Sequence, residues 1–149
     1  MKFGAVVLIL GLASAVILMV LGTCSAESTS ASSATIVRGK YLVDQVGMCS
    51  DCHSEHNEKG EMIKQKYLQG TTLPFKPTVT MPVWADKSPA IAGLPGWTDD
   101  AAIKFLMTGI AYNNLPGCPP MPQYRFNKPD AAAIVAYLRS LSPQSSGWE

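Results

Sequence analysis

The cluster whose residue types and spacing suit covalent cofactor chemistry is Cys49-Ser50-Asp51-Cys52-His53. Two cysteines separated by two residues and followed by a histidine are typical of a c-type haem attachment site. On a helical turn, residues three apart share one face, with their Cβ atoms roughly 5–6 Å apart. Both thiols can then add to the two vinyl groups on one porphyrin edge, and the His53 imidazole can reach the iron from the proximal side.

Two other uses of the cysteine pair are less consistent with the sequence. A redox-active pair of the thioredoxin type needs a strand–helix–strand context, and no such pattern surrounds Cys49 and Cys52. A zinc site would need further nitrogen or sulfur ligands at suitable spacing. The sequence offers only His56 and the distant Cys118 for that role. Haem attachment is therefore the favoured interpretation.

An iron held by His53 needs a sixth ligand or an open site. The chain has 2 histidines, and His56 lies too close to His53 to reach the opposite side, so we predict that His56 is a surface residue or a neighbour of the iron ligands rather than a ligand. A methionine thioether remains. Met121 is favoured because it lies between two prolines just before the last predicted helix, and Met81 is its rival. The other methionines are excluded by position or surroundings: Met1, Met19, Met48, Met62 and Met107.

The length, the net charge and the absence of catalytic motifs limit the classes of protein that this sequence can encode. The chain has 149 residues and a formal net charge of +1, which suits one domain and gives no single-sign field for nucleic acid. We find no paired carboxylates, no nucleophile–base pair and no glycine-rich phosphate loop. The sequence therefore predicts an electron-transfer protein without catalytic residues rather than an enzyme in its own right.

The N-terminal segment, residues 1–26, is predicted to be a signal peptide or a membrane anchor. Lys2 is followed by an uncharged run from Phe3 to Leu21, which has the shape of a secretory signal. As a helix this run would be about 28 Å long, close to the hydrocarbon thickness of a bilayer. The positive-inside rule leaves the remainder outside the cytoplasm, in the periplasm or on the outer face of the cytoplasmic membrane.

Three fates of this segment remain open: cleavage after Ala26, lipidation at Cys24 and retention as a helix. The run Leu21-Gly22-Thr23-Cys24 is similar to a bacterial lipobox, although Thr23 stands where glycine or alanine is usual. Some form of membrane attachment is favoured over a free protein. Residues 27–35, rich in serine, threonine and alanine, are predicted to form a flexible tether.

Three helices are predicted. In the first, Ile36, Gly39, Val43 and Val46 share one face, and we expect this helix to continue directly into Cys49. A second helix is predicted to begin after a Thr98 cap and to stop at Gly109. The third is predicted to begin after an Asn127 cap, with Pro143 just beyond its end and Ile134, Tyr137, Leu138 and Leu141 on one face.

Residues 54–96 are predicted to be a long loop, because five prolines interrupt them. Such a loop needs an apolar surface to cover, which a haem supplies. Four aromatic residues are candidates for the haem-pocket wall or for hydrogen-bond donors to the propionates, with ordinary core positions as the alternative: Tyr67, Phe75, Trp84 and Trp97. Cys118 is expected to be a free buried thiol, with a disulfide to Cys24 or a redox-sensitive thiol as alternatives.

These features together resemble a class I cytochrome c: a glycine-containing helix that leads to the Cys-x-x-Cys-His motif, a proline-flanked Met121 and an amphipathic C-terminal helix. The resemblance covers roughly residues 35 to 142. It implies an all-α fold with long haem-wrapping loops, in which Gly39 and Tyr137 form the contact between the first and last helices. It also implies one covalently attached haem c, with His53 and Met121 as iron ligands and Cys49 and Cys52 as attachment points.

The expected function is single-electron transfer between redox partner proteins by an exported, membrane-tethered protein. The cytochrome c domain would occupy residues 36–142, followed by a tail of residues 143–149. One alternative is a haem c subunit of a multi-chain membrane oxidoreductase complex. A second is a gas-binding haem sensor, in which the methionine ligand yields to NO or CO.

Overall fold

The computed structural model describes residues 31–142. The predicted signal or anchor segment and the C-terminal tail lie outside these residues. The described part contains four α-helices: α1 (Ser33–Tyr41), α2 (Cys49–His53), α3 (Asp99–Thr108) and α4 (Lys128–Ser140). It also contains a two-stranded antiparallel ribbon of β1 (Thr71–Thr72) and β2 (Lys87–Ser88). Four helices with little sheet agree with the expected small cytochrome c fold.

Helix α1 begins earlier and ends earlier than the sequence pattern predicts. The Ser32 side chain accepts a hydrogen bond from the backbone of Thr35, so the last residues of the predicted tether are helical. After α1 a π-helical turn runs over Leu42–Val46, and Met48 has a left-handed backbone with φ of 48°. The expectation of one helix that runs straight into Cys49 is therefore wrong.

The π-helical turn explains why Val46, predicted to lie on the apolar face, is exposed. A π-turn places roughly one extra residue in the helical register, which rotates the residues after it away from the face that began the helix. Gly39 and Val43 are buried as predicted, whereas Val46 is 46% exposed. The π-helical turn also ends the first helical segment at Val46, so the chain changes direction before α2 begins at Cys49.

The contact between α1 and α4 confirms the predicted pairing of Gly39 with Tyr137. A Cβ atom placed on Gly39 would lie 2.0 Å from the carbonyl oxygen of Ala133 and 2.7 Å from Cβ of Tyr137. Only glycine permits this approach of the two backbones. At the rim of the same contact, Arg38 and Asp130 form an exposed ion pair, which contributes little stability by itself.

The ends of α3 and α4 confirm the capping predictions. The Thr98 side chain accepts from the Ala101 backbone, and the Asn127 side chain accepts from the Asp130 backbone at 2.9 Å. Helix α3 ends at Gly109, whose φ of 73° is left-handed. Glycine adopts this conformation without the steric cost that other residues meet.

The irregular segment from Gly93 to Trp97 is held by a side chain that no sequence pattern singles out. The guanidinium of Arg139 on α4 donates to the carbonyls of Gly93, Leu94 and Trp97, at distances of 2.5–3.1 Å. It also forms an ion pair with Asp99 at 2.8 Å. A planar guanidinium can serve several acceptors at once, so one residue replaces the regular hydrogen bonds that this loop lacks.

The core lies between α1, α3 and α4 and is closed by buried residues of the long loop. Its fully buried side chains include Val43, Leu68 and Ile134. Within residues 31–142, no helix combines the length and apolar character needed to cross a membrane.

Candidate functional site

Helix α2 carries the predicted attachment residues. Cys49 and Cys52 lie three positions apart on its turn, followed by His53 as its last residue. This confirms the helical spacing expected of the motif, which places both sulfurs on one face. The left-handed Met48 starts the turn, and Ser54 leaves it in an extended conformation.

The two thiols differ in burial. Cys49 packs against the end of the π-helical turn, where its Sγ would lie 3.2 Å from a Cβ placed on Gly47. Burial raises the pKa of Cys49 to about 11. Burial and the nearby Asp51 carboxylate also raise the pKa of Cys52. Both residues are therefore protonated thiols near neutral pH.

His53 is buried and oriented by a backbone carbonyl. Its side chain is 6% exposed, and Nδ1 lies 2.8 Å from the carbonyl oxygen of Pro89. Because a carbonyl can only accept, Nδ1 carries the proton and Nε2 keeps its lone pair. Burial lowers the pKa of His53, and the Pro89 hydrogen bond opposes this shift without reversing its direction. A neutral imidazole with this orientation is the form that ligates metals.

The end of α2 is held by residues distant in sequence. The backbone N–H of Gly70 donates to the His53 carbonyl at 2.8 Å, and the Ser88 hydroxyl donates to the Cys52 carbonyl at 2.5 Å. Ser54, fully buried, accepts through Oγ from the Leu68 backbone at 2.9 Å. These partners were missed at the level of sequence, because no local spacing connects residues 68–71 or 88–89 with the cysteine motif.

Met121 lies in a turn connected to the long loop. Its backbone N–H donates to the Cys118 carbonyl at 3.1 Å, and the Ala85 N–H donates to the Pro119 carbonyl at 2.7 Å. Met121 is partly buried, whereas the rival Met81 is 38% exposed. The choice of Met121 as the sixth ligand stays a prediction.

Trp84 provides the observation that best tests whether a haem fits this site. Its Nε1 is buried and, among residues 31–142, has no hydrogen-bond partner. Native proteins rarely leave a buried donor unpaired without a reason. Trp84 directly precedes Ala85, which bonds to the Met121 turn, and its ring meets Phe75 edge-on at 6.1 Å. An indole donor here fits a cofactor that carries a carboxylate.

The segments that precede Trp84 and the Met121 turn in sequence also carry exposed apolar side chains, which are the kind of surface that a bound cofactor can cover. They include Phe75, Val79, Met81, Val83, Tyr112 and Leu115. Polar and covalent attachment points for a haem would come from the two thiols, the oriented imidazole and the indole donor. The described residues therefore fit a covalently attached haem.

Two of the predicted aromatic candidates have other contacts. The Tyr67 hydroxyl donates to Asp44 at 2.5 Å and lies 3.0 Å from the Tyr137 hydroxyl, so it serves the packing of α4 and the π-helical turn. Burial and the bond to Asp44 raise the pKa of Tyr67. Trp97 packs on Phe105 at 5.4 Å between ring centroids, beside the core.

Two further residues considered as ligands or reactive thiols lie at the surface. His56 is exposed, as predicted, with Nδ1 3.1 Å from the Ser54 carbonyl. Cys118 is a free thiol but is exposed. The expectation of a buried thiol is therefore wrong, because the proline-rich turn keeps this side chain outside the core. A disulfide to Cys24 concerns a residue outside the described part of the chain.

Comparison with known proteins adds a family and two relatives. The family model described as Cytochrome c matches residues 36–142. The fructose dehydrogenase cytochrome subunit of Gluconobacter japonicus is 32% identical over 113 residues, which are 70% of this chain and 21% of that protein. A nicotinate dehydrogenase subunit of Pseudomonas putida is 32% identical over 114 residues, which are 70% of this chain and 9% of that protein. The chain thus spans only a small part of either relative.

Proposed function

Because the chain belongs to the cytochrome c family, we propose that Cys49, Cys52 and His53 hold the covalently bound haem c that this family carries. The chain is an electron-transfer protein, and Met121 is proposed as the second axial ligand. The observation that supports this assignment best is the buried His53, which donates through Nδ1 to Pro89 directly beside the two thiols.

When bound, haem c supplies an iron that cycles between Fe(II) and Fe(III). The chain's residues set how readily it does so. The Pro89 carbonyl draws on the Nδ1 proton of His53 and makes Nε2 a stronger donor. A Met121 thioether, if it held the iron, would favour the ferrous state and raise the reduction potential. The indole N–H of Trp84, buried and without a partner among residues 31–142, would be available as a hydrogen-bond donor to a propionate.

An intact-mass measurement of the native, membrane-extracted protein tests the cofactor and the N-terminal segment together. We expect the polypeptide mass plus one haem, and this extra mass should survive acid–acetone extraction because thioethers do not exchange. A freely extracted haem, or bound zinc instead, would contradict the proposal. The same spectrum reports whether residues 1–26 are cleaved, lipidated at Cys24 or retained.

Substitution of the proposed sixth ligand has an expected spectroscopic result. Met121→Ala should abolish the weak charge-transfer band that a thioether gives ferric haem, and should lower the reduction potential by on the order of 0.1 V. Met81→Ala is the matched control and should keep the band. If Met81→Ala removes the band and Met121→Ala spares it, the two assignments are reversed.

The location is part of the same proposal. The uncharged run from Phe3 to Leu21 supports export, with attachment to the outer face of the cytoplasmic membrane through the retained segment or a lipid on Cys24. Native protein that is fully soluble and begins at Glu27 would exclude this attachment.

A second candidate function is that of a haem subunit within a multi-chain membrane oxidoreductase. The names of the two relatives favour it, since one is a cytochrome subunit of a dehydrogenase and the other a dehydrogenase subunit. The chain would then relay electrons from a catalytic partner to an acceptor protein. Stoichiometric co-purification with a dehydrogenase chain supports this role, and isolation as a single chain supports a free shuttle.

A further inference from the structure

The β-ribbon touches the haem-attachment turn through one side chain. The Ser88 hydroxyl donates to the Cys52 carbonyl at 2.5 Å and accepts from the Thr71 backbone at 3.2 Å. Ser88 and Thr71 are also the paired residues of the ribbon. A hydroxyl offers one proton and two lone pairs, so this side chain connects both strands to α2.

The residue after Ser88 holds the imidazole. Pro89 accepts the Nδ1 proton of His53 at 2.8 Å, while the His53 carbonyl accepts from Gly70 at 2.8 Å. Gly70 lies against the same backbone, since a Cβ atom placed on it would be 2.7 Å from the Ser88 carbonyl oxygen and 2.8 Å from the Pro89 carbonyl carbon. Ser88, Pro89 and Gly70 therefore form a clamp around Cys52 and His53.

Within this clamp, the ring of His53 and the turn that carries it are held by adjacent residues of one segment. The hydroxyl of Ser88 joins β2 to the end of α2 through the Cys52 carbonyl, and the carbonyl that accepts from His53 belongs to the next residue, Pro89. The Pro89 residue has no N–H of its own with which to anchor the strand. Without the Ser88 hydroxyl, the segment that carries the Pro89 carbonyl loses its side-chain hydrogen bond to the Cys52 carbonyl, next to the His53–Pro89 bond.

We propose that Ser88 is a positioning residue for the axial histidine, and that its hydroxyl keeps the Nδ1–H of His53 aligned with the Pro89 carbonyl. This inference rests on the proposed role of His53 as an iron ligand. Partners of this kind orient a ligating histidine and raise its basicity. Misalignment weakens electron donation by the imidazole, so ferric iron loses more stabilisation than ferrous iron and the reduction potential rises.

The test is a potentiometric titration of the holoprotein for Ser88→Ala, with Thr72→Ala as the matched control. Thr72 is an exposed hydroxyl residue of the same ribbon, with its Cα paired to Lys87. For Ser88→Ala we expect the equilibrium constant of reduction to rise about threefold to tenfold, which is about 30–60 mV for one electron. Thr72→Ala should keep the wild-type potential.

A second readout reports the hydrogen bond itself. In the diamagnetic ferrous protein, the His53 Nδ1 proton should exchange with solvent faster in Ser88→Ala than in the wild type, by NMR. A merely structural role would lower the melting temperature without moving either quantity. If potential and proton exchange both match the wild type, the proposal is wrong.

A pair of isosteric variants keeps the test decisive if Ser88→Ala fails to fold. Ser88→Thr retains the hydroxyl, and Ser88→Val removes it at nearly the same shape as threonine. We expect the wild-type potential for Ser88→Thr and the raised potential for Ser88→Val. Equal potentials for the pair, or an equal shift in Thr72→Ala, would overturn the role of the hydroxyl. Absence of covalent haem in the wild type would instead refute the proposed function.

Discussion

The Cys49→Ala, Cys52→Ala double variant is expected to contain no covalently bound haem. Each thiol supplies one thioether, and no other cysteine in residues 31–142 lies on the attachment turn. Haem staining of a denaturing gel should show no signal at the size of the polypeptide. Without the cofactor, the apolar side chains of the surrounding loops lose the surface that they would cover, so we also expect little soluble folded protein.

The two single cysteine variants test each thioether bond on its own. Cys49→Ala and Cys52→Ala should each reduce the yield of holoprotein, and any product should show an α-band shifted towards that of a haem with one unsaturated vinyl group. Cys118→Ala is the matched control, because it removes an exposed cysteine distant in sequence from α2. Full covalent attachment in the double variant would contradict the assignment of the motif.

Gly39→Ala is expected to lower the free energy of unfolding by about 3 kcal/mol, at the upper end of the usual cost of overpacking. The added methyl group would lie 2.0 Å from the Ala133 carbonyl oxygen. This neighbour is backbone, so α4 must move away from α1 to relieve the clash. The higher helix propensity of alanine returns only about 1 kcal/mol.

Denaturant unfolding of the holoprotein, followed by circular dichroism, measures this effect. Gly60→Ala is a suitable control, since Gly60 has a positive φ but no atom within 4 Å of the position that the added methyl group would take. It should cost about 1–2 kcal/mol from backbone conformation alone. Wild-type stability in Gly39→Ala would show that α1 and α4 do not pack at the distance described.

Local patterns predicted the parts of this protein that depend on near neighbours. The turn at Cys49, the caps at Thr98 and Asn127 and the stop at Gly109 each depend on residues within about four positions. Side-chain caps and left-handed glycines act over that range, so spacing alone carries the information. Gly39 and Tyr137 are separated by most of the domain's sequence, so local patterns could not predict their contact. That prediction came from the family resemblance.

Tertiary packing decided the features whose partners are far apart. The π-helical turn before Gly47 rotates Val46 out of the face that periodicity assigned to it. Arg139 supports a loop more than forty positions away, and no local signal distinguishes it from a surface arginine. Cys118 is exposed in the turn that its carbonyl closes with the Met121 N–H, and its residue type does not reveal this.

The same division applies to the functional site. By itself, the sequence determined the chemistry, because two thiols and an imidazole at this spacing suit one cofactor and few others. Only the tertiary structure decided which groups hold the imidazole and its turn. The carbonyl of Pro89 and the hydroxyl of Ser88 lie 36 positions from their partners in α2. A backbone carbonyl has no residue-specific signal in a sequence, and its direction exists only once the chain has folded.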